Sequence, residues 1–184
     1  MGDPRKGELY GGLGQLYHAQ NNLEKARQYY EKAVSAQHNN HNPSQKALMM
    51  GNLGYILAAQ GHLDAQTQQY LENAIIDLEQ CEQWISAYCI SSTLGLFLAR
   101  KEDFEQSQLI FSRIILQLRK LERPIILGQV LCERGEAYFL SGHSTKARTA
   151  IEEAKAIVQQ LRLQQSSVLA KQIEALEAFM SDES

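Results

Sequence analysis

Met50-Gly51-Asn52-Leu53-Gly54-Tyr55-Ile56-Leu57-Ala58-Ala59-Gln60-Gly61 is a Leu-Gly pair, an apolar run and a turn. The same phrase recurs around Gly14, Gly95 and Gly135, so the four glycines stand 40, 41 and 40 residues apart. A period of about 20–50 residues with helix-turn-helix content marks a helical solenoid, in which each hairpin buries its apolar face against the next. No stretch sustains the alternation of apolar and polar residues that a half-buried strand needs. Prolines stand only at positions 4, 43 and 124, which leaves long uninterrupted helices free to form between them.

The signals for individual helices agree with that period. Asp3-Pro4, Asn42-Pro43 and Arg123-Pro124 each put proline at a first helical position, where its missing N–H costs nothing. Asp3 and Asp103 are read as N-caps. Leu23, Ala26, Tyr30, Ala33 and Val34 form one apolar stripe on the second helix. Turns fall at Asn21-Asn22, in the polar run His38 to Asn42, at Gly61-His62, at Lys101 to Asp103 and at Gly142-His143. The units are therefore expected at about residues 3–41, 42–82, 83–123 and 124–163. A ninth helix, within 164–180 and capped by Ser166 or Ser167, carries Val168, Ile173, Leu176 and Phe179 on one face and Lys171, Glu174 and Glu177 on the other. It reads as the solvating cap a repeat array needs at its end. Residues 181–184 read as a frayed tail. The first helix has no such cap. It is expected to face water, another domain of a larger parent protein, or a second copy in a homodimer.

The totals narrow the function classes. Hydrophobic residues make up 44% of the chain and the net charge is −3, so the chain is foldable and carries no basic stripe for nucleic acid. Residues 47–99 hold no Lys or Arg and carry −5, from Asp64, Glu72, Asp77, Glu79 and Glu82. That segment is either a solvated acidic face or a patch that selects a basic partner. Three cysteines without a CxxC spacing point to a reducing, cytoplasmic setting. The uncharged run Trp84 to Ala99 is 16 residues, short of the roughly 20 that span a bilayer.

No catalytic constellation emerges. Gly11-Gly12-Leu13-Gly14 lacks the following Lys-Ser or Lys-Thr of a phosphate loop. His38 and His41 sit among asparagines in one loop, and His62 and His143 occupy matching turns. No Ser, Cys or Lys has a recognisable base beside it in a motif. The expectation is a non-enzyme with no cofactor and no metal.

The repeat wording resembles the tetratricopeptide repeat family. The first unit offers Tyr10, Leu13, Gly14, Tyr17, Ala26, Tyr30 and Ala33. The second offers Met50, Leu53, Gly54, Leu57, Gly61 and Tyr70, with Asn73 where alanine is usual and Ala74 next to it. The third offers Leu94, Gly95, Leu98 and Phe111, with Ser107 and Ile114 in alanine places. The fourth offers Leu131, Gly135, Tyr138, Gly142, Ala147 and Ala154, with Arg134 replacing the leucine. The period exceeds the usual 34 residues, which is similar to the arrays that accompany bacterial signalling proteins.

The resemblance implies an all-α, right-handed solenoid of four helix-turn-helix units plus a capping helix. It implies a non-catalytic scaffold that takes a partner helix or peptide on a concave surface lined by the first helix of each unit. In the first unit the lining positions are Glu8, Gly11, Gln15 and His18, and in the second Leu48, Gly51, Tyr55 and Ala59. The third contributes Cys89, Ser92, Leu96 and Arg100, and the fourth Gln129, Cys132, Glu136 and Phe139. This lining lacks the Lys-Asn-Asn-Lys-Arg set that clamps a C-terminal carboxylate in chaperone-binding members. The alternative is a regulatory sensor that binds a small peptide or metabolite and signals through a change of curvature.

Overall fold

The computed structural model describes residues 4–36 and 42–182. Among them are nine helices and no strand: α1 (Pro4–Ala19), α2 (Leu23–Ala36), α3 (Pro43–Ala59), α4 (Ala65–Gln80), α5 (Trp84–Arg100), α6 (Phe104–Lys120), α7 (Pro124–Leu140), α8 (Ser144–Gln160) and α9 (Val168–Asp182). The expected cap Asp3 and the loop residues His38 to His41 lie outside the described residues. The chain divides into two compact units, Met1–Ser91 and Ser92–Ser184, with the boundary inside α5.

Local chemistry sets the helix ends. Asn42 accepts from the Gln45 amide at 3.1 Å, Asp64 from Thr67 at 2.8 Å and Asp103 from Gln106 at 3.2 Å. Ser167, not Ser166, accepts from the Ala170 amide ahead of α9. Each relieves one of the unpaired N–H groups of a first turn. The C-terminal ends share one device. After α3 the chain turns through Gly61 at φ 83°. There the Gly61 amide donates to Ala58 and the His62 amide to Leu57. These are the two reversed hydrogen bonds of a left-handed helix stop. The same geometry follows α7 at Gly142 and follows α5 at Glu102, where a non-glycine residue takes the left-handed conformation at φ 66°. α9 continues past Phe179 through Ser181 and Asp182.

In the first unit, α1 packs on α2, α2 on α3 and α3 on α4. Its core joins Ala26, Tyr30 and Ala33 of α2 to Met49, Leu53 and Ile56 of α3. The glycines fix how close the helices come. A Cβ on Gly14 would lie 2.7 Å from the Tyr30 ring, and one on Gly54 2.7 Å from Leu71. Three residues earlier on each helix, Gly11 meets Met49 and Gly51 meets Ile90. One glycine thus admits the helix of its own hairpin and the other admits the next odd-numbered helix. The doubtful register of α4 is settled by burial: Ala74 is wholly buried and Asn73 is exposed.

In the second unit, α6 packs on α7, α7 on α8, and α9 on both α7 and α8. A Cβ on Gly95 would lie 3.0 Å from the Phe111 ring, and one on Gly128 2.5 Å from Leu169. Ser107 and Ile114, in alanine places, are buried. Arg134, in the leucine place of α7, reaches Gln108 at 3.3 Å and Ser112 at 3.4 Å and lies 5.0 Å from the Tyr138 ring. The aliphatic stem of the arginine replaces part of the apolar contact while its head stays polar.

Two substitutions in α1 separate packing from propensity. Gly14→Ala drives a methyl into the rigid, buried Tyr30 ring and should cost about 1–3 kcal/mol. Gly12→Ala, with nothing within 4 Å, should gain about 0.5–1 kcal/mol from helix propensity. Urea denaturation of the two variants should move the midpoint in opposite directions.

Candidate functional site

The expected lining residues separate into three kinds in the structure. In the first unit, Glu8, Gln15, Ala59 and Cys89 are exposed and Leu48 is half-buried against the α2–α3 core. His18 and Tyr55 come together, with ring centroids 5.0 Å apart and planes tilted by 47°. Burial lowers the His18 pKa below its ordinary value, so this pair is a neutral, aromatic surface near pH 7. Gly11 and Gly51 are buried contacts between helices rather than lining.

In the second unit, Ser92 and Cys132 are buried and Leu96 is half-buried. Gln129 gives its backbone carbonyl to the Gln172 side-chain amide, and Phe139 meets Phe179 edge-on at 5.5 Å. α9 therefore covers these two positions of α7. Arg100 and Glu136 face each other: the guanidinium donates to Glu136 Oε1 from Nη2 at 2.7 Å and from Nε at 3.2 Å. Both side chains are partly exposed, so the pair contributes about 1 kcal/mol or less to stability and mainly fixes position.

Sequence reading missed Glu133. Its carboxylate accepts a hydrogen bond from the Ser92 hydroxyl across the α5–α7 contact. Glu133, Glu136 and Arg100 line a cavity of about 310 Å³. Gln172 of α9 adds an amide to it, and Cys132, Ala175, Leu176 and Phe179 form its apolar wall. Burial, reinforced by the Glu136 charge, pushes the Glu133 pKa up to about 7, against the opposing pull of the Ser92 bond and Arg100. Burial and the Glu133 charge push the Cys132 thiol up to about 12, so that cysteine is inert at neutral pH. The only sequence signal was the Glu133–Glu136 spacing of one helical turn, which alone describes any solvated helix face.

Among the described residues, no group of three His, Cys, Asp or Glu side chains is placed to hold a metal. No described helix is long and apolar enough to cross a membrane.

Residues 7–40 match the family model for the tetratricopeptide repeat. This is the first hairpin, where Gly14 receives Tyr30. The first hairpin thus carries the tetratricopeptide-repeat pattern. BtubC (BKLC) from P. vanneervenii has a crystal structure that aligns with 90% of this chain and 68% of its own, at 20% identity and a TM-score of 0.71. A Rap protein complexed with competence and sporulation factor aligns with 97% of this chain at 14% identity and a TM-score of 0.80. The chain spans 50% of that Rap chain. At such identities the likeness shows the fold, an all-α repeat solenoid. No curated protein matches the sequence.

The raised Glu133 pKa has a fixed sign in stability. The folded state holds a proton up to about pH 7 that the unfolded chain releases near 4.5. The wild type should therefore lose stability as pH rises across that window, by at most about 3 kcal/mol. Glu133→Gln should remove this slope. Burial shifts His18 in the opposite direction, but it contributes equally to both curves, so the difference between them isolates Glu133. Chemical denaturation at a series of pH values reads this directly, and parallel curves would contradict a half-buried Glu133 that titrates in this window.

Proposed function

We propose that this chain is a non-catalytic scaffold that binds a segment of another protein through the faces of its odd-numbered helices. The observation that carries the reading is the His18–Tyr55 surface, flanked by the exposed Gln15 and Ala59. These side chains are set on helices whose spacing glycine contacts fix, so little ordering cost falls on the protein when a partner arrives. An amphipathic helix or an extended apolar segment suits an aromatic, uncharged surface. The Rap protein was crystallised in complex with competence and sporulation factor, which supports a binding role for a chain of this fold. The same reading offers Leu9 and Leu16, exposed on α1 and seven residues apart, as the face a second copy or another domain would cover.

A second reading is favoured by Glu133. A carboxyl that changes charge near pH 7 would let the array act as a regulatory sensor, changing shape with a small ligand. Small-angle scattering across a peptide and metabolite panel would reveal such a change, and identical profiles would count against it.

Ala59→Glu places a charge at an exposed position beside Tyr55 without touching the core. Affinity capture from the native cell, read by mass spectrometry, should lose the partners of the wild type with Ala59→Glu and with Tyr55→Ala. Asn73→Glu, on the exposed side of α4, should retain them. Equal recovery by all three variants would show that the odd-helix faces are not the binding surface.

A further inference from the structure

The cavity against α5, α7 and α9 has an unbalanced charge account. Arg100 spends two of its donors on one oxygen of Glu136. Glu133 has a neutral partner, the Ser92 hydroxyl. One guanidinium thus stands against two carboxylates, and the cavity carries one surplus negative charge whenever Glu133 is ionised. The opposite wall is apolar, made by Leu176 and Phe179. A cation on an alkyl stem satisfies both halves. Its charge restores Glu133, its methylenes cover Leu176, and its head can lie over the Phe179 ring. A bare divalent ion fits poorly, because two carboxylates, one already paired, fall short of the six to eight oxygens that Ca²⁺ takes.

We propose that this cavity receives a lysine side chain of the bound protein segment, with its ammonium between Glu133 and Glu136. The inference rests on the scaffold reading and names the chemistry of its partner. Occupancy is linked to protons. The groups facing Glu133 are Ser92 and Arg100 from α5, Cys132 and Glu136 from α7, and Gln172 from α9. Cys132 stays neutral through the neutral range, while Glu133 changes state there. Binding an ammonium expels its proton, and affinity rises with pH.

The test uses n-butylammonium, a lysine side-chain mimic, titrated into the full chain while the Leu176 and Ala175 methyl resonances are followed by NMR. Saturable shifts are expected at about pH 8, with affinity about tenfold weaker at about pH 6. Glu133→Gln, which keeps a partner for Ser92, should abolish them. Glu136→Gln removes the surplus negative charge, leaving Arg100 to balance Glu133, and should likewise abolish n-butylammonium binding. Shifts that n-butanol reproduces, or that persist unchanged in Glu133→Gln, would overturn the proposal. Its failure is distinct from failure of the scaffold. A partner captured equally by wild type and Glu133→Gln, but lost with Ala59→Glu, removes the lysine assignment and leaves the binding surface standing.

Discussion

Everything in this fold depends on backbone meeting side chain where a Cβ is missing. Gly14 receives the flat face of Tyr30, Gly54 receives Leu71 and Gly95 receives Phe111. Each contact is closer than a real Cβ would allow or is at the limit of it, so each hairpin has one admissible spacing. The large residue is always the one delivered by the second helix, and it is always buried. Packing of this kind transmits shape rather than energy alone: an interior as dense as a crystal cannot absorb a methyl without moving a helix. That is why the period tolerates alanine replaced by serine or isoleucine in α6 but keeps Gly14, Gly54 and Gly95.

A second series of contacts lies three residues earlier and joins successive odd-numbered helices. In the first unit it is made by Gly11 and Gly51. At the equivalent place in α5 stands Ser92, and in α7 Cys132. A hydroxyl buried at a helix contact requires a hydrogen-bond partner, and Glu133 supplies it. The cost is a carboxyl held in a site that resists its ionisation. An apolar pair of the same volume would be more stable. The polar contact is thus a place where the packing scheme gives up stability, and a chain keeps such a contact when it confers specificity or a response to protons.

The period, the hairpins and the close contacts at Gly14, Gly54 and Gly95 were legible because they follow from local rules: helix caps, turn residues and the absence of a side chain. Asp103 and Asn42 act as caps for the same reason. Burial of particular polar groups was not legible. Glu133 is enclosed by residues from α5 and α9, which are tens of residues away in sequence, and nothing on α7 itself distinguishes it from Glu136. Gly11 and Gly51 looked like open lining because glycine leaves a face bare. The bare face is instead where a neighbouring helix comes closest. Arg134 looked like a defect in the motif, yet Gln108, Ser112 and Tyr138 receive it, which no count of motif positions could foresee.

The two units offer different chemistry on their odd-numbered helices, and this bears on what a partner must contain. The first presents a neutral imidazole against a phenol, framed by an amide and an alanine. It rewards an apolar or aromatic side chain and is indifferent to salt. The second presents a fixed ion pair and a carboxyl of variable charge beside an apolar wall. It rewards a cation and discriminates against an anion, since a like charge beside a half-desolvated carboxylate is costly. A segment with an apolar anchor alone would gain at one surface and nothing at the other. Under the proposed binding role, the response to pH belongs to the second unit and the apolar contact to the first.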